Sequence, residues 1–478
     1  MTERASTARG EFSGTRWLGV LAGIALLCRL ALDENLSWVV FLLAGIAMVV
    51  LSVIRWPYGA LAILIASSAM PRFFVELFGW KARPEHFAAA IVFMAATMWL
   101  ITHKQRIRID ALGYCILAYI GVNYVSSAFT SSEPSSTLRW ALLNNLAVLP
   151  YFLIRFLVRD LGTLRRAFRI FLVVAVVESS YGILCYASHQ VFRTTAGMEA
   201  GLYFVDIAAP YGSLYEPNLF GAYAACSAVL FLSLYLGKAS HRSAYMMGFI
   251  ITLFAAVLSF SRAALIALVV AGVWAFWKSR QHKNSRSRKL IILVPAISLV
   301  LIVAATTFRG VLQERLVNLF TEGLAEDTAV TRYILIAESL QEVPNHPLLG
   351  SGTASFQLSF DWAKYVPQWA GNATWVGNVT VRILHDAGLL GLTALMGFLT
   401  CLWWRIRTGL RGNRELPMLI GLSGGALVYG ISFQSTDGTT LAFPWVYLGL
   451  LAAAATILRG YSQESHKIGA EAAQLEQL

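Results

Sequence analysis

Hydrophobic positions in this chain fall in blocks, without the alternation of a half-buried strand or the narrow stripe of a helix with one wet face. The blocks are separated by short segments rich in Arg, Lys, Pro or Ser. A helix of about 20 apolar residues spans the hydrocarbon core of a bilayer. Blocks near 17–32, 36–54, 58–78, 86–102, 111–129, 138–154, 170–187, 218–236, 243–259, 263–277, 290–308, 387–404, 416–433 and 440–458 therefore predict about fourteen spans. Some are short or polar, so the expected fold is all-α and polytopic, with about 12–14 transmembrane helices.

Charge placement orients the blocks, because Lys and Arg collect in cytoplasmic loops. With a cytoplasmic N-terminus, segments 1–16, 55–57, 103–110, 155–169, 237–242, 278–289, 405–415 and 459–478 lie inside and hold most of the 38 basic residues. The outer segments include 130–137, 188–217, 309–386 and 434–439, which carry acids and few lysines. The predicted topology has both termini cytoplasmic and one large outer loop, 309–386, with short helices of its own. Within it Val330 to Glu342 has helical periodicity, Pro344 ends it, and Gly350-Ser-Gly352 marks a turn. Three regions follow: helices over 1–208, a core with the large loop over 209–404, and helices with a cytoplasmic tail over 405–478.

Composition supports this picture. Of 478 residues 57% are hydrophobic and only 13% charged, against about 25% charged in an ordinary soluble protein, and mean hydropathy is +0.62. A water-soluble fold is excluded. The net charge of +12 reflects basic cytoplasmic loops and does not point to nucleic acid. Cys28, Cys115, Cys185, Cys226 and Cys401 sit in apolar runs with neither metal-site nor disulfide spacing. The run after Arg4, Arg9 and Arg16 has no evident cleavage site and reads as a retained first helix. Phosphate-loop, dinucleotide and His-Glu-x-x-His motifs are absent.

Polar residues predicted at the outer face are the candidates for chemistry. Arg262, in Ser-Phe-Ser-Arg between two spans, is costly in lipid unless it meets water or an anion; snorkelling to headgroups is the alternative. Glu216, Pro217 and Asn218 stand at the mouth of a span, where Asn218 also suits a helix cap. Arg332 lies on the loop helix with Tyr333, Glu338 and Glu342, a pattern equally suited to a solvated face. Asn378, Arg382 and His385 share one helical face at spacing i, i+4, i+7, with Asp386 beside them. Glu178 is an intramembrane carboxylate, functional or bonded to a neighbouring helix, and His346 reads as a turn residue.

In order, these motifs resemble the O-antigen ligase and polysaccharide polymerase family of bacterial inner membranes. Tyr215-Glu-Pro-Asn218 is similar to its Asn-Pro-Asn-type segment, and Ser259 to Arg262 to its Ser-Arg turn. Arg332 followed by Pro347-Leu-Leu-Gly-Ser-Gly352 resembles the Arg and Pro-Leu-Leu-Gly-x-Gly of its periplasmic loop. Asn378 through Asp386-Ala-Gly-Leu-Leu-Gly391 resembles its His-Asn stretch, with Gly377 where the family commonly has a candidate base histidine. The resemblance, over about 210–395, implies glycan transfer from a polyprenyl diphosphate to a hydroxyl of lipid A core or another repeat unit at the periplasmic face. It implies diphosphate or substrate binding by Arg262, Arg332, Asn218 and Asn378, with Arg382 in reserve, and a base at His385 or Glu216. Expected partners are the lipid-linked donor, a glycan or lipid acceptor and membrane lipids, with no metal, cofactor or nucleic acid. The rival expectation is a flippase of lipid-linked oligosaccharides, with Glu178 and Arg139 lining a path, though the two related halves common in transporters are not evident. A non-catalytic scaffold leaves the outer arginines unexplained.

Overall fold

The computed structural model describes residues 45–46, 48–50, 52, 55–77, 80–105, 109–199, 208–237, 241–280, 327–365, 375–410 and 416–475. The expected spans at 17–32 and 290–308, most of 36–54, and loop stretches 309–326 and 366–374 lie outside these residues.

Of the other expected spans, 58–78 is helical only over its first half and ends in a strand, and each of the rest coincides with one helix. In order the helices are α1 (Tyr58–Ser68), α2 (Pro84–Thr102), α3 (Ala111–Phe129), α4 (Pro134–Leu157), α5 (Leu161–Phe192), α6 (Pro217–Leu236), α7 (Arg242–Leu258) and α8 (Arg262–Arg280). The large loop contributes α9 (Asp327–Glu342) and the short α10 (Ser355–Ser359). Last come α11 (Val379–Gly409), α12 (Leu416–Ser432) and α13 (Ala442–Leu475). Eight helices among the described residues are long and apolar enough to cross a membrane; α1, α7 and α12 are shorter apolar helices. The protein is an all-α polytopic membrane protein. Two small antiparallel hairpins, β1 (Val75–Leu77) with β2 (Trp80–Ala82) and β3 (Met198–Glu199) with β4 (Ala209–Pro210), were not foreseen.

Local chemistry sets the helix starts. Proline opens α2, α4 and α6, where its fixed φ suits the first turn and its missing N–H is no loss. Asp110, Asp160 and Asn378 cap α3, α5 and α11 by accepting from Gly113, Thr163 and Val381 N–H groups.

Helix α6 is the centre of the bundle. It packs on α7, α8 and α12, and its whole spanning window is buried, against 28% for α2 and α8. Phe93, Met94, Met98 and Ile101 on α2, and Ile266, Val269 and Val273 on α8, remain exposed; these faces suit lipid. Around α6 the core is aromatic, with Tyr223 edge-on to Phe443 at 5.7 Å and Phe171 on Tyr447 at 5.6 Å. Gly425 lets α12 approach Tyr447 and Cys226 more closely than a Cβ allows.

Polar contacts sort the connecting segments into two poles. At one, Asp110 takes a two-pronged contact from Arg155 (2.7 Å on each oxygen) and a third from Arg405 at 2.5 Å. At the other meet segment 130–131, the 211–217 stretch, the large loop and segment 434–440. The same grouping of loops follows from the alternation of crossings.

Candidate active site

The large loop docks through a break in α11. Gly388 has φ 63° and ψ −164° inside that helix, which frees backbone groups on either side of it. The loop takes them up. Ser351 and Gly352 N–H groups donate to the carbonyls of His385 and Asp386, at 2.8 and 3.1 Å, while Leu389 and Leu390 N–H groups donate to Pro347 and Leu348, at 2.9 and 3.1 Å. A Cβ on Gly388 would stand 2.3 Å from Leu348 O, so the loop needs glycine there. The Pro347-Leu-Leu-Gly-Ser-Gly352 and Asp386-Ala-Gly-Leu-Leu-Gly391 motifs are thus two halves of one backbone junction. Helix α3 seals it: Ser126 Oγ donates to Asp386 O at 2.7 Å, and Thr130 Oγ1 to Gly350 O at 2.5 Å.

A buried chain of charges runs beside the junction. The Arg382 guanidinium contacts Asp437 through Nε, Asp386 Oδ2 at 3.2 Å and Thr439 Oγ1 at 2.5 Å. Asp386 Oδ2 also accepts from Ala354 N–H at 3.0 Å. His385, fully buried, lies between two carboxylates, with Nδ1 3.0 Å from Asp386 Oδ1 and Nε2 2.9 Å from Glu342 Oε2.

A second group surrounds the mouth of α6. Glu216 is its N-cap residue, and one carboxylate oxygen accepts from Thr436 Oγ1. Burial raises the Glu216 pKa above its ordinary value, Asp437 adds to this, and the Thr436 hydrogen bond and the Arg332 charge partly offset it. Arg332, half-buried on α9, is therefore near enough to act on Glu216. The turn 259–261 closes on the same helix: a Cβ on Gly221 would meet Ser259 Oγ at 2.3 Å and Ser261 Cβ at 2.9 Å. Arg262, first residue of α8, leaves this turn exposed. Arg72 completes the rim, donating to Tyr215 O at 3.0 Å and lying 3.9 Å over the Tyr211 ring. Glu199 is also raised, by burial first and then by Glu216.

The expected site residues thus separate. Glu216, Arg332 and Arg262 stay around the mouth of α6. Asn218 is the second residue of that helix, and Glu216, not Asn218, is its cap residue. Asn378 has both side-chain atoms engaged, accepting from Val381 N–H and donating to Gln434 O, each at 3.0 Å. Two expectations are corrected. Arg382 lies between two aspartates at 5% exposure, which neutralises it and removes it from the reserve of diphosphate ligands. His385 has both ring nitrogens on carboxylate oxygens; as acceptors these both need a proton from the ring, so it has no lone pair for a hydroxyl proton.

Glu178 accepts from Ser213 N–H at 2.8 Å and pairs with Ser213 Oγ at 2.5 Å, fixing the approach to α6. On α9, Glu338 pairs with Lys364 at 2.9 Å, and His346 sits in an exposed turn as expected. Sequence reasoning missed Thr436, Asp437, Thr439, Arg72, Arg83 and Glu199. Among these, Arg83 pairs with Glu85 at 3.2 Å and donates to Thr440 O at 3.1 Å. The available signal was Asp437 in a short polar turn between two apolar blocks. Among the described residues no three His, Cys, Asp or Glu side chains group as a metal site.

Residues 247–396 match the family described as O-antigen ligase. This segment runs from α7 through the large loop into α11 and contains Arg262, Arg332 and the junction at Gly388. No curated protein matches the chain. The match and the motif order agree: residues 247–396 are similar to the O-antigen ligase family.

Proposed function

We propose that this O-antigen ligase-like protein transfers a glycan from a polyprenyl diphosphate to an acceptor hydroxyl at the mouth of α6. The observation carrying this reading is Glu216, a buried carboxylate at the mouth of α6 that accepts from Thr436 Oγ1 and feels the charge of Arg332. Glu216 takes the hydroxyl proton as that oxygen attacks the anomeric carbon. The bond from this carbon to the diphosphate oxygen breaks, and polyprenyl diphosphate leaves with the electron pair. Arg332 and Arg262 hold the departing charge, since guanidinium forks match phosphate oxygens. Asn218 contributes to substrate binding in the first turn of α6, where backbone N–H groups and the helix dipole favour anions.

Energy for the bond comes from the donor, so no nucleotide is required, and the arginines take the charge-stabilising role in a metal-independent reaction. The compartment is the periplasm of a bacterial inner-membrane protein with both termini cytoplasmic, and the acceptor is lipid A core or another repeat unit. In proteoliposomes with EDTA and no nucleotide, the purified protein is expected to join a polyprenyl-diphosphate glycan to an acceptor. Arg262→Ala and Arg332→Ala are each expected to lower turnover by about 10²-fold or more. Full turnover in both variants overturns the site; donor movement across the bilayer without a new glycosidic bond favours the flippase instead.

A further inference from the structure

We infer that the Glu342–His385 ion pair is a positioning device that sets the register of α9 and so holds Arg332 at Glu216; the inference rests on the reading of that site proposed above. Positions 332, 335, 339 and 342 recur at spacings of three and four, so they form one stripe of α9. Leu335 and Ser339 in the middle are buried, and the two ends are half-buried. Arg332 stands at one end of the stripe and Glu342 at the other, about 15 Å apart along the axis.

The Glu338–Lys364 pair lies off this stripe and ties α9 to a segment of its own loop, and along the middle of the stripe Leu335 packs with Phe356, Trp362 and Val376 by apolar contact. Such contact is non-directional, and a helix resting on it can roll or slide. The Glu342 contact is directional and charge-assisted, 2.9 Å from His385 Nε2. His385 is itself immobile: its other nitrogen is on Asp386, which Arg382 and Ala354 N–H hold in turn. One edge-on ring, Phe356 at 5.6 Å, closes the imidazole's flank. The bridge therefore anchors α9 to a buried, hydrogen-bonded part of α11, and Arg332 is at the far end of the lever.

A residue acting through Arg332 has no effect once Arg332 is gone, and this is the test. Full-length protein in nanodiscs is titrated with sugar-free polyprenyl diphosphate, and KM and kcat are measured with the glycan-bearing donor. Glu342→Ala is expected to raise Kd about tenfold, the scale of one charge-assisted hydrogen bond, and to lower kcat/KM by at least as much, because Arg332 also holds the departing charge. Glu342→Gln, which still accepts from the imidazolium, recovers most of that loss. In the Arg332→Ala background Glu342→Ala adds less than about twofold. Multiplicative losses in the double variant, or an unchanged Kd in Glu342→Ala, overturn the proposal. Because Glu342 is half-exposed, its variants test the device even if His385 variants fail to fold. A wild type that binds the diphosphate but forms no glycosidic bond refutes the proposed function, while the Kd cycle still decides this one; a wild type that does not bind refutes both.

Discussion

Arg382 gives the sharpest separation between a structural and a substrate-binding cation. Its side chain is 6% exposed, and its two partners Asp386 and Asp437 are 2% and 4% exposed. Arg382→Met keeps most of the volume and removes the charge. Asp386 retains His385 and the Ala354 N–H. Asp437 retains only donors from Thr439, so it becomes the uncompensated buried anion. Stranding one member of a buried ion pair costs about 3–5 kcal/mol. Adding Asp437→Asn removes the stranded charge and keeps an acceptor for Thr439, so most of the loss returns, to within about 1–2 kcal/mol of wild type. The 14 tryptophans report thermal unfolding in detergent. The single variant is expected to lower Tm by on the order of 3–5 °C, and the double variant to recover more than half of that. A Tm unchanged by Arg382→Met, together with lost diphosphate binding, refutes this reasoning and returns Arg382 to the substrate.

Other outcomes follow from the same contacts. Glu216→Gln is expected to slow transfer by about 10²–10⁴. Burial raises the Glu216 pKa above its ordinary 4.5, so wild-type kcat/KM rises with pH through that raised value as the base ionises, and the variant loses this limb. The same shift gives folded-state stability present at low pH and lost as pH climbs through the raised value, measurable as Tm against pH. Burial pushes the Asp110 carboxyl up, but Arg155, the Gly113 N–H and Arg405 outweigh it and hold its pKa below the ordinary 3.8. Its contribution is therefore present above that value and lost below it; Asp110→Asn should cost about 2 kcal/mol, discounted because the carboxylate is 29% exposed. Gly388→Ala puts a methyl against Leu348 O and should undock the loop, read as faster proteolysis within 327–365 and lost transfer.

The architecture was legible because lipid enforces it. Apolar blocks long enough to span must be helices, and α2 to α8 and α11 to α13 stand where the blocks are. The loop helix, expected over Val330 to Glu342, and its stop were legible from periodicity and Pro344. Less legible was what the motif glycines do, since nothing local says that Gly388 breaks α11 to receive Pro347 and Leu348 from about 40 residues upstream. The Asn378, Arg382, His385 face was read correctly as a stripe, but its partners come from 434–440 and from Glu342. Charge neutralisation across such distances has no sequence period, so Arg382 looked available when Asp437 holds it. Glu216 and Arg332 were proposed separately; their proximity depends on how the loop sits on α11.

The account's central claim is chemical coupling at the mouth of α6, and stoichiometry tests it most directly. In sealed proteoliposomes with doubly labelled donor, each new glycosidic bond should appear with one released polyprenyl diphosphate, and Glu216→Gln should suppress both together. Labelled donor reaching the opposite leaflet intact, with no diphosphate released, contradicts the account.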